Sequence, residues 1–461
     1  MLEKKENFIE KAENIKYELI IKGPLTEEKI KMISNIKGEP DWMLDIRLKA
    51  FKYFEKLPLP DFGPDLFKIN FDNIVYYGSI TRYPKPVKWE ELPEYIKETI
   101  EKLGLKEEFK FLGALNVQYD SIPIYKEVRK YLDQEGIIFT SLDEGVREYP
   151  EIVKKYFAKV VSINDNKFAA LNTSVWSGGV FIYVPENKKV ELPLHAYFLI
   201  NLENLGQFER TLIIAEKNSK VTYIEGCTAP IFSSSQLHAA VVEIFANDNS
   251  QVTYGTIQNW SKNVYNLVTK RAKVGKNSIV RWISAEFGSK VTMLYPGLIL
   301  DDDAIGEIYT IGFATDNQII DTGGRIIALG KNSKGFILSK SIAIGKEKEA
   351  ISINRIDIKL NNNSYVISKC DSLIENKGKV ESIPRIEKYS EHSYYNHEAK
   401  MEKIDNEKIF YLKSLGLEEK EAKRLFLLGF LDDVFQHFPP SYRIEVMKLA
   451  NLELEEIGGF G

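Results

Sequence analysis

The chain has 461 residues, 44% of them hydrophobic and 28% charged, with 62 basic against 66 acidic side chains and a net charge of -4. That composition excludes a disordered polypeptide and gives no electrostatic reason to expect nucleic acid or a membrane surface as a partner. Only two cysteines occur, Cys227 and Cys370, which excludes a disulfide framework.

The start, Met1–Lys22, mixes Lys and Glu and lacks the apolar run of a signal peptide. The longest apolar runs, such as Gly179–Pro185 and Ala239–Phe245, are too short to span a bilayer, so a cytoplasmic protein is expected. Thr26 ahead of Glu27 and Glu28 reads as a helix N-cap, and Ile46, Ala50, Phe54 and Leu57 recur at near-helical spacing. Pro58–Pro64 then breaks the pattern. Ser141 and Glu144 have the spacing of a capping box and predict a helix running toward Phe157. Residues 1–157 are expected to form a helical or mixed N-terminal domain without evident chemistry.

From about residue 160 short β-rich runs follow one another, divided by polar corners. The corners recur: Glu216–Tyr223, Asn247–Tyr254 and Gly275–Trp282 align, Gly330–Ser333 and Asn361–Ser364 repeat the motif, and Glu186–Val190 is a weaker copy. Copies lie about 28 to 31 residues apart, with one double-length gap spanning Asp301–Asp303. Such a period marks a stacked solenoid, here a β-helix over residues 158–395, with an antiparallel sandwich as the competing arrangement. The period stops near residue 396. Leu417–Phe435 then places Ala422, Leu425/Phe426, Gly429/Phe430 and Val434 on one helical face, Pro439-Pro440 stops the helix, and Tyr442–Asn451 predicts another, making 396–461 a helical domain with a loose tail at Gly458–Gly461.

Cys227 follows the β-run Val221–Ile224 within Glu225-Gly-Cys-Thr-Ala-Pro230, which reads as a turn where a thiol is reachable; a small buried hydrophobe is the plain alternative. Cys370 ends the run Tyr365–Ile367. Its neighbour Lys369 favours a thiolate, Asp371 opposes it, and adjacent strand residues point to opposite faces. His397 and Glu398 follow within reach in sequence, and thiolate, imidazole and carboxylate together suit iron or zinc, against the alternative of a solvated turn. Asp301-Asp-Asp303 resembles the paired acids of β-helical carbohydrate-active enzymes but sits where a repeat corner is due. No phosphate-binding loop, dinucleotide fingerprint, H-E-x-x-H or G-x-S-x-G motif is present.

The segment Asn166–Pro185 resembles the SufB family of iron–sulfur cluster assembly proteins. So, in family order, do Gly206–Thr211, Glu225–Pro230, Gln258-Asn-Trp260, Val268–Arg271, Gly288–Val291, Asp321–Gly323, Gly330–Lys334, Cys370–Leu373 and His397–Ala399. The resemblance covers nearly the whole chain from Trp42. It implies a mainly β protein: a right-handed parallel β-helix flanked by helical domains, acting as a scaffold and not as an enzyme. It further implies that Cys227 accepts sulfur as a persulfide from a desulfurase system and that Gln258, Trp260 and Lys270 line the sulfur route. Cys370, with Glu398 and His397, would hold a nascent iron–sulfur cluster. The implied partners are the SufC ATPase, docked on the C-terminal helices, and either SufD or a second SufB copy; flavin binding is left open. The nearest alternative is a SufD-like structural subunit, against which the two cysteine motifs speak. Three departures stand out: Leu199 where the family has an arginine near the sulfur path, Asn396 in place of a glutamate before His397, and Lys377–Pro384 without the family's His-Thr-Phe-Pro element.

Overall fold

A computed structural model describes residues 17–79, 112, 114–119, 121–128, 130–199, 204–228, 236–440 and parts of 442–451. The tail Gly458–Gly461, Ala229–Pro230 and the first sixteen residues lie outside the described residues.

Thr26 caps the helix Glu27–Ile36 by accepting from Lys29 N at 3.4 Å, and the helix Asp41–Lys56 buries Ala50 and Phe54. The single helix expected from Ser141 to Phe157 is two helices, Leu142–Glu148 and Pro150–Tyr156. Pro150 has no N–H with which to continue the ladder, so the chain breaks at Tyr149. Ser141 caps as expected, but the Glu144 carboxylate turns to Thr140 and Lys126 and does not close a capping box.

The β part is a parallel solenoid of about seven turns. One wall stacks Leu194–Leu199, Lys220–Thr228, Gln251–Trp260, Ile279–Gly288, Ile305–Ala314, the first parts of the long strands Lys334–Leu360 and Tyr365–Lys388, and finally Tyr394–Lys403. A short second wall carries Gln236–His238, the start of Val264–Val274, and Val291–Leu294. A third carries Arg210–Ala215, Val241–Ala246 and the end of Val264–Val274. Strand Ala114–Tyr119 adds a rung beside Leu194–Leu199. At the other end pairing continues to Lys403, beyond the point where the corner motif fades.

The corners explain the period. Asn187, Asn218, Asn249, Asn277, Asn332 and Asn362 all adopt positive φ, which asparagine tolerates better than most residues. In the double-length gap Asp303 does the same at φ 54, so the acidic triplet is a solvated corner, with Asp302 accepting from Lys331 N at 2.7 Å. Gly288 turns the wall at φ +73, where an added Cβ would stand 1.7 Å from the carbonyl of Trp260.

Alternation sorts each strand into an inner and an outer face. The outer face of the first wall carries Ile257, Ile283, Phe287 and Phe313, which pack in one cluster with Ala422, Leu427, Leu431, Val434 and Phe435 of the helix Glu419–Phe435. Leu425, expected on that apolar face, points outward instead and is 51% exposed. The described residues between 442 and 451 are helical as expected.

Candidate functional site

The interior of the first wall is organised in columns, each residue stacked on its register neighbour. One column runs Tyr223, Tyr254, Trp282, Ile308, Ile337, Ser368, His397; the next runs Glu225, Thr256, Ser284, Thr310, Ser339, Cys370, Ala399. The third runs Cys227, Gln258, Glu286, Gly312, Ser341, Ser372. Both thiols therefore face one interior, in neighbouring columns, five rungs apart. At about 4.8 Å per rung that is roughly 24 Å.

Cys227 lies within the strand Lys220–Thr228 and not at a turn, because its backbone is paired on both sides, with Phe198 and Gln258. It is 2% exposed. Burial pushes its thiol well above the ordinary value, Glu225 and Glu209 push it further, and Lys270 opposes them. Cys370 likewise lies inside a strand, Tyr365–Lys388, and burial raises its thiol to about 11.

Around Cys227 the interior is dense with charge. Glu225 accepts from Tyr254 Oη at 2.7 Å and Tyr223 Oη at 3.1 Å. Burial raises its carboxyl, and Lys270 works against that rise. Lys270 Nζ lies 3.3 Å from Tyr254 Oη and 4.7 Å from that ring's centre. Gln258 Oε1 accepts from Trp260 Nε1 at 2.9 Å and Asn266 Nδ2 at 2.7 Å. Asn266 also reaches Glu286 Oε2 at 3.1 Å, Thr292 Oγ1 at 3.4 Å and His238 Nδ1 at 2.7 Å. His238 Nε2 is 2.5 Å from Glu209, and its ring lies 4.5 Å from that of Trp260. Burial disfavours the imidazolium, but Glu209, Asn266 and Glu225 together outweigh it and raise His238. Burial lifts Glu286 to about 7.

The expected Gln258, Trp260 and Lys270 are thus brought together around Cys227. Glu209, Glu225, His238, Asn266 and Glu286 belong to the same network and were missed. Aligning the corners would have found Glu286, one period beyond Gln258; Glu209, His238 and Asn266 reach the site only through folding of the other walls.

Between the thiols the lining is mainly hydroxyl. Thr256 Oγ1 and Ser284 Oγ are buried without a hydrogen-bond partner among the described residues, Thr310 donates to Ser339 at 2.9 Å, and Ser341 and Ser372 lie 3.0 Å apart. Asn354 ties this end together through Ser339, Ser341 and Ser372.

Near Cys370, His397 falls on the inner-facing parity and meets Ser368 Oγ at 2.8 Å through Nδ1, leaving Nε2 buried without a partner among the described residues. Glu398 does not join them. It pairs with Lys369 on the opposite face, at 3.5 Å, because consecutive strand residues alternate. Among the described residues no group of three or more His, Cys, Asp and Glu is placed to hold a metal ion. Asn396 also lies on that outer parity, and Leu199 is the register neighbour of Thr228 at the wall's rim.

Residues 198–430 match the family described as SUF system FeS cluster assembly, SufBD core domain, and residues 120–196 match the SufBD protein N-terminal region. The chain belongs to the SufBD family. Iron–sulfur cluster assembly SufBD family proteins from Staphylococcus haemolyticus (strain JCSC1435) and Staphylococcus aureus (strain MRSA252) are each 45% identical over 435 residues, covering 94% of this chain and 93% of theirs. SufBD membership makes this an iron–sulfur cluster assembly protein of the SUF system. No helix among its described residues is long and apolar enough to cross a membrane.

Proposed function

We propose that this SufBD protein is a SufB-type scaffold that receives sulfur at Cys227 and builds a cluster at Cys370. The observation that carries the reading is the shared interior: two thiols on neighbouring inward columns, joined by a polar lining in an otherwise apolar solenoid. In the receiving step the Cys227 sulfur attacks the terminal sulfur of a donor persulfide. A new S–S bond forms at Cys227, the donor's S–S bond breaks, and the thiol proton of Cys227 passes to the departing donor thiolate; the sulfane sulfur keeps its oxidation state. At the far end Cys370 with His397 offers a partial ligand set for iron, the cargo of the reaction, while Glu398 lies on the outer face of the last strand, apart from them. Incomplete ligation suits a site that must release its product.

Among the described residues the last strand, Tyr394–Lys403, pairs on one side only, which leaves an edge fitted to a SufD subunit or a second copy. Phe410, Tyr411, Leu415 and Leu425 are exposed on the C-terminal helices, where a SufC-type ATPase would dock. The residue classes and the wholly internal network at Cys227 favour the scaffold. The burial of both thiols favours the other reading, a SufD-like subunit that needs neither. Serine variants decide between them. Cys370→Ser is expected to fold as the parent and lose all iron and sulfide after anaerobic reconstitution with the ATPase partner, and Cys227→Ser to lose sulfur uptake. Unchanged iron–sulfur absorbance in both leaves the SufD-like reading standing.

A further inference from the structure

The Trp260 Nε1–H can only donate, and it reaches Gln258 Oε1 at 2.9 Å, so the oxygen end of that amide is settled. Asn266 Nδ2 donates to the same oxygen, which directs Asn266 Oδ1 to His238 Nδ1 and makes that nitrogen a donor. His238 is in turn held by Glu209. What remains free is Gln258 Nε2: two N–H groups, wholly buried, with no partner among the described residues. One rung away in register is Cys227. Unsatisfied buried donors are costly, and they are retained where something else in the interior uses them.

We infer that Asn266 and His238 are positioning residues for sulfur transfer. Together with Trp260 they lock the Gln258 amide with its donor end available to the sulfur accepted at Cys227, where it stabilises the perthiolate anion. The inference rests on Cys227 being the acceptor. Such a donor matters because the surroundings do not favour an anion. The titratable groups facing this sulfur among the described residues are Tyr223 and Glu225 on its own strand, Tyr254 and Glu286 on the following coils, and Lys270, His238 and Glu209 from the other walls. Three carboxyl groups stand against one amine and one imidazole. A neutral amide, fixed with its N–H groups inward, stabilises negative sulfur without adding to that balance.

The test follows sulfur gain on Cys227 of the full chain, with glutathione persulfide as donor, by mass spectrometry of the cysteine-bearing peptide across pH. Asn266→Leu is expected to slow uptake about tenfold and to raise the pH midpoint by about one unit. Gln258→Leu should do the same, and the double variant should be no slower than Gln258→Leu alone, because both act through one amide. His238→Leu should follow Asn266→Leu, whereas His238→Gln, which keeps an N–H for Asn266 Oδ1, should stay within about twofold of the parent. An unshifted midpoint in Asn266→Leu, or losses that multiply in the double variant, overturns the inference. If Asn266→Leu does not fold, the two His238 variants decide: equal loss in both overturns it. Sulfur uptake on Cys227 with unaffected variants defeats the positioning role alone. No uptake on Cys227 in the parent defeats the acceptor reading and this inference with it.

Discussion

The two ends of the interior are built differently. Cys227 lies near the N-terminal end of the coil stack, one rung from Leu194–Leu199, among three glutamates, a lysine, a histidine and two tyrosines that hydrogen-bond across all three walls. Cys370 lies one rung from the terminal strand, among serines and one histidine, with the charged residues Lys369 and Glu398 turned outward. Charge inside a solenoid is tolerable only where enough partners converge, as residues of the three walls do around Cys227. On the proposed function, the charged end near Cys227 would suit a site that handles sulfur in both protonation states, and the end beside the terminal strand one that exchanges cargo.

The contrast can be tested first through Lys270. Lys270→Met removes the ammonium from among the buried carboxylates and should cost about 3 kcal/mol in urea unfolding, while Lys369→Met at the other end should change stability by less than about 0.5 kcal/mol. Equal effects would erase the distinction. Glu286 supplies the next largest effect. Burial raises its carboxyl from the ordinary 4.5 to about 7. Between those values the folded chain holds a proton that the unfolded chain has lost, so stability falls as pH rises through the window and levels off above it, by roughly 3 kcal/mol at most. Glu286→Gln should flatten that decline in melts taken from pH 5 to pH 8; an unchanged slope assigns it to another group. The thiols give a third comparison. With its thiol raised to about 11 from 9.0, native Cys370 should alkylate about a hundredfold more slowly at pH 8 than a free cysteine, and Cys227 more slowly still. Iodoacetamide labelling in the absence and presence of denaturant reads both. The smallest effect belongs to the corners: Asn249→Ala, at φ 57, should cost about 1 kcal/mol, and Asn249→Gly very little.

Much of this was legible beforehand. The recurring Asn-Ser corner announced a solenoid because positive φ must recur once per coil, and even the double-length gap was a corner, with aspartate in the asparagine's role. The helix N-cap at Thr26 was equally plain. Tyr149–Pro150 was underweighted: the proline signal lay inside a pattern that otherwise read as one helix. Leu425 misled because either of two faces of an amphipathic helix bearing Leu425, Phe426, Leu427 and Leu428 could be buried, and the outer wall of the β-helix selects one.

Local chemistry and periodicity, read without coordinates, determined the coil repeat, the corner residues, the flanking helices and the two thiols worth asking about. Tertiary structure alone decided that Cys227 and Cys370 share an interior, that Glu398 faces away from Cys370, and that Glu209, His238, Asn266 and Glu286 gather around Gln258. The physical reason is register. Strand alternation is written locally, but which side of a strand becomes the inside, and which residues from other walls meet there, is set by how successive coils stack.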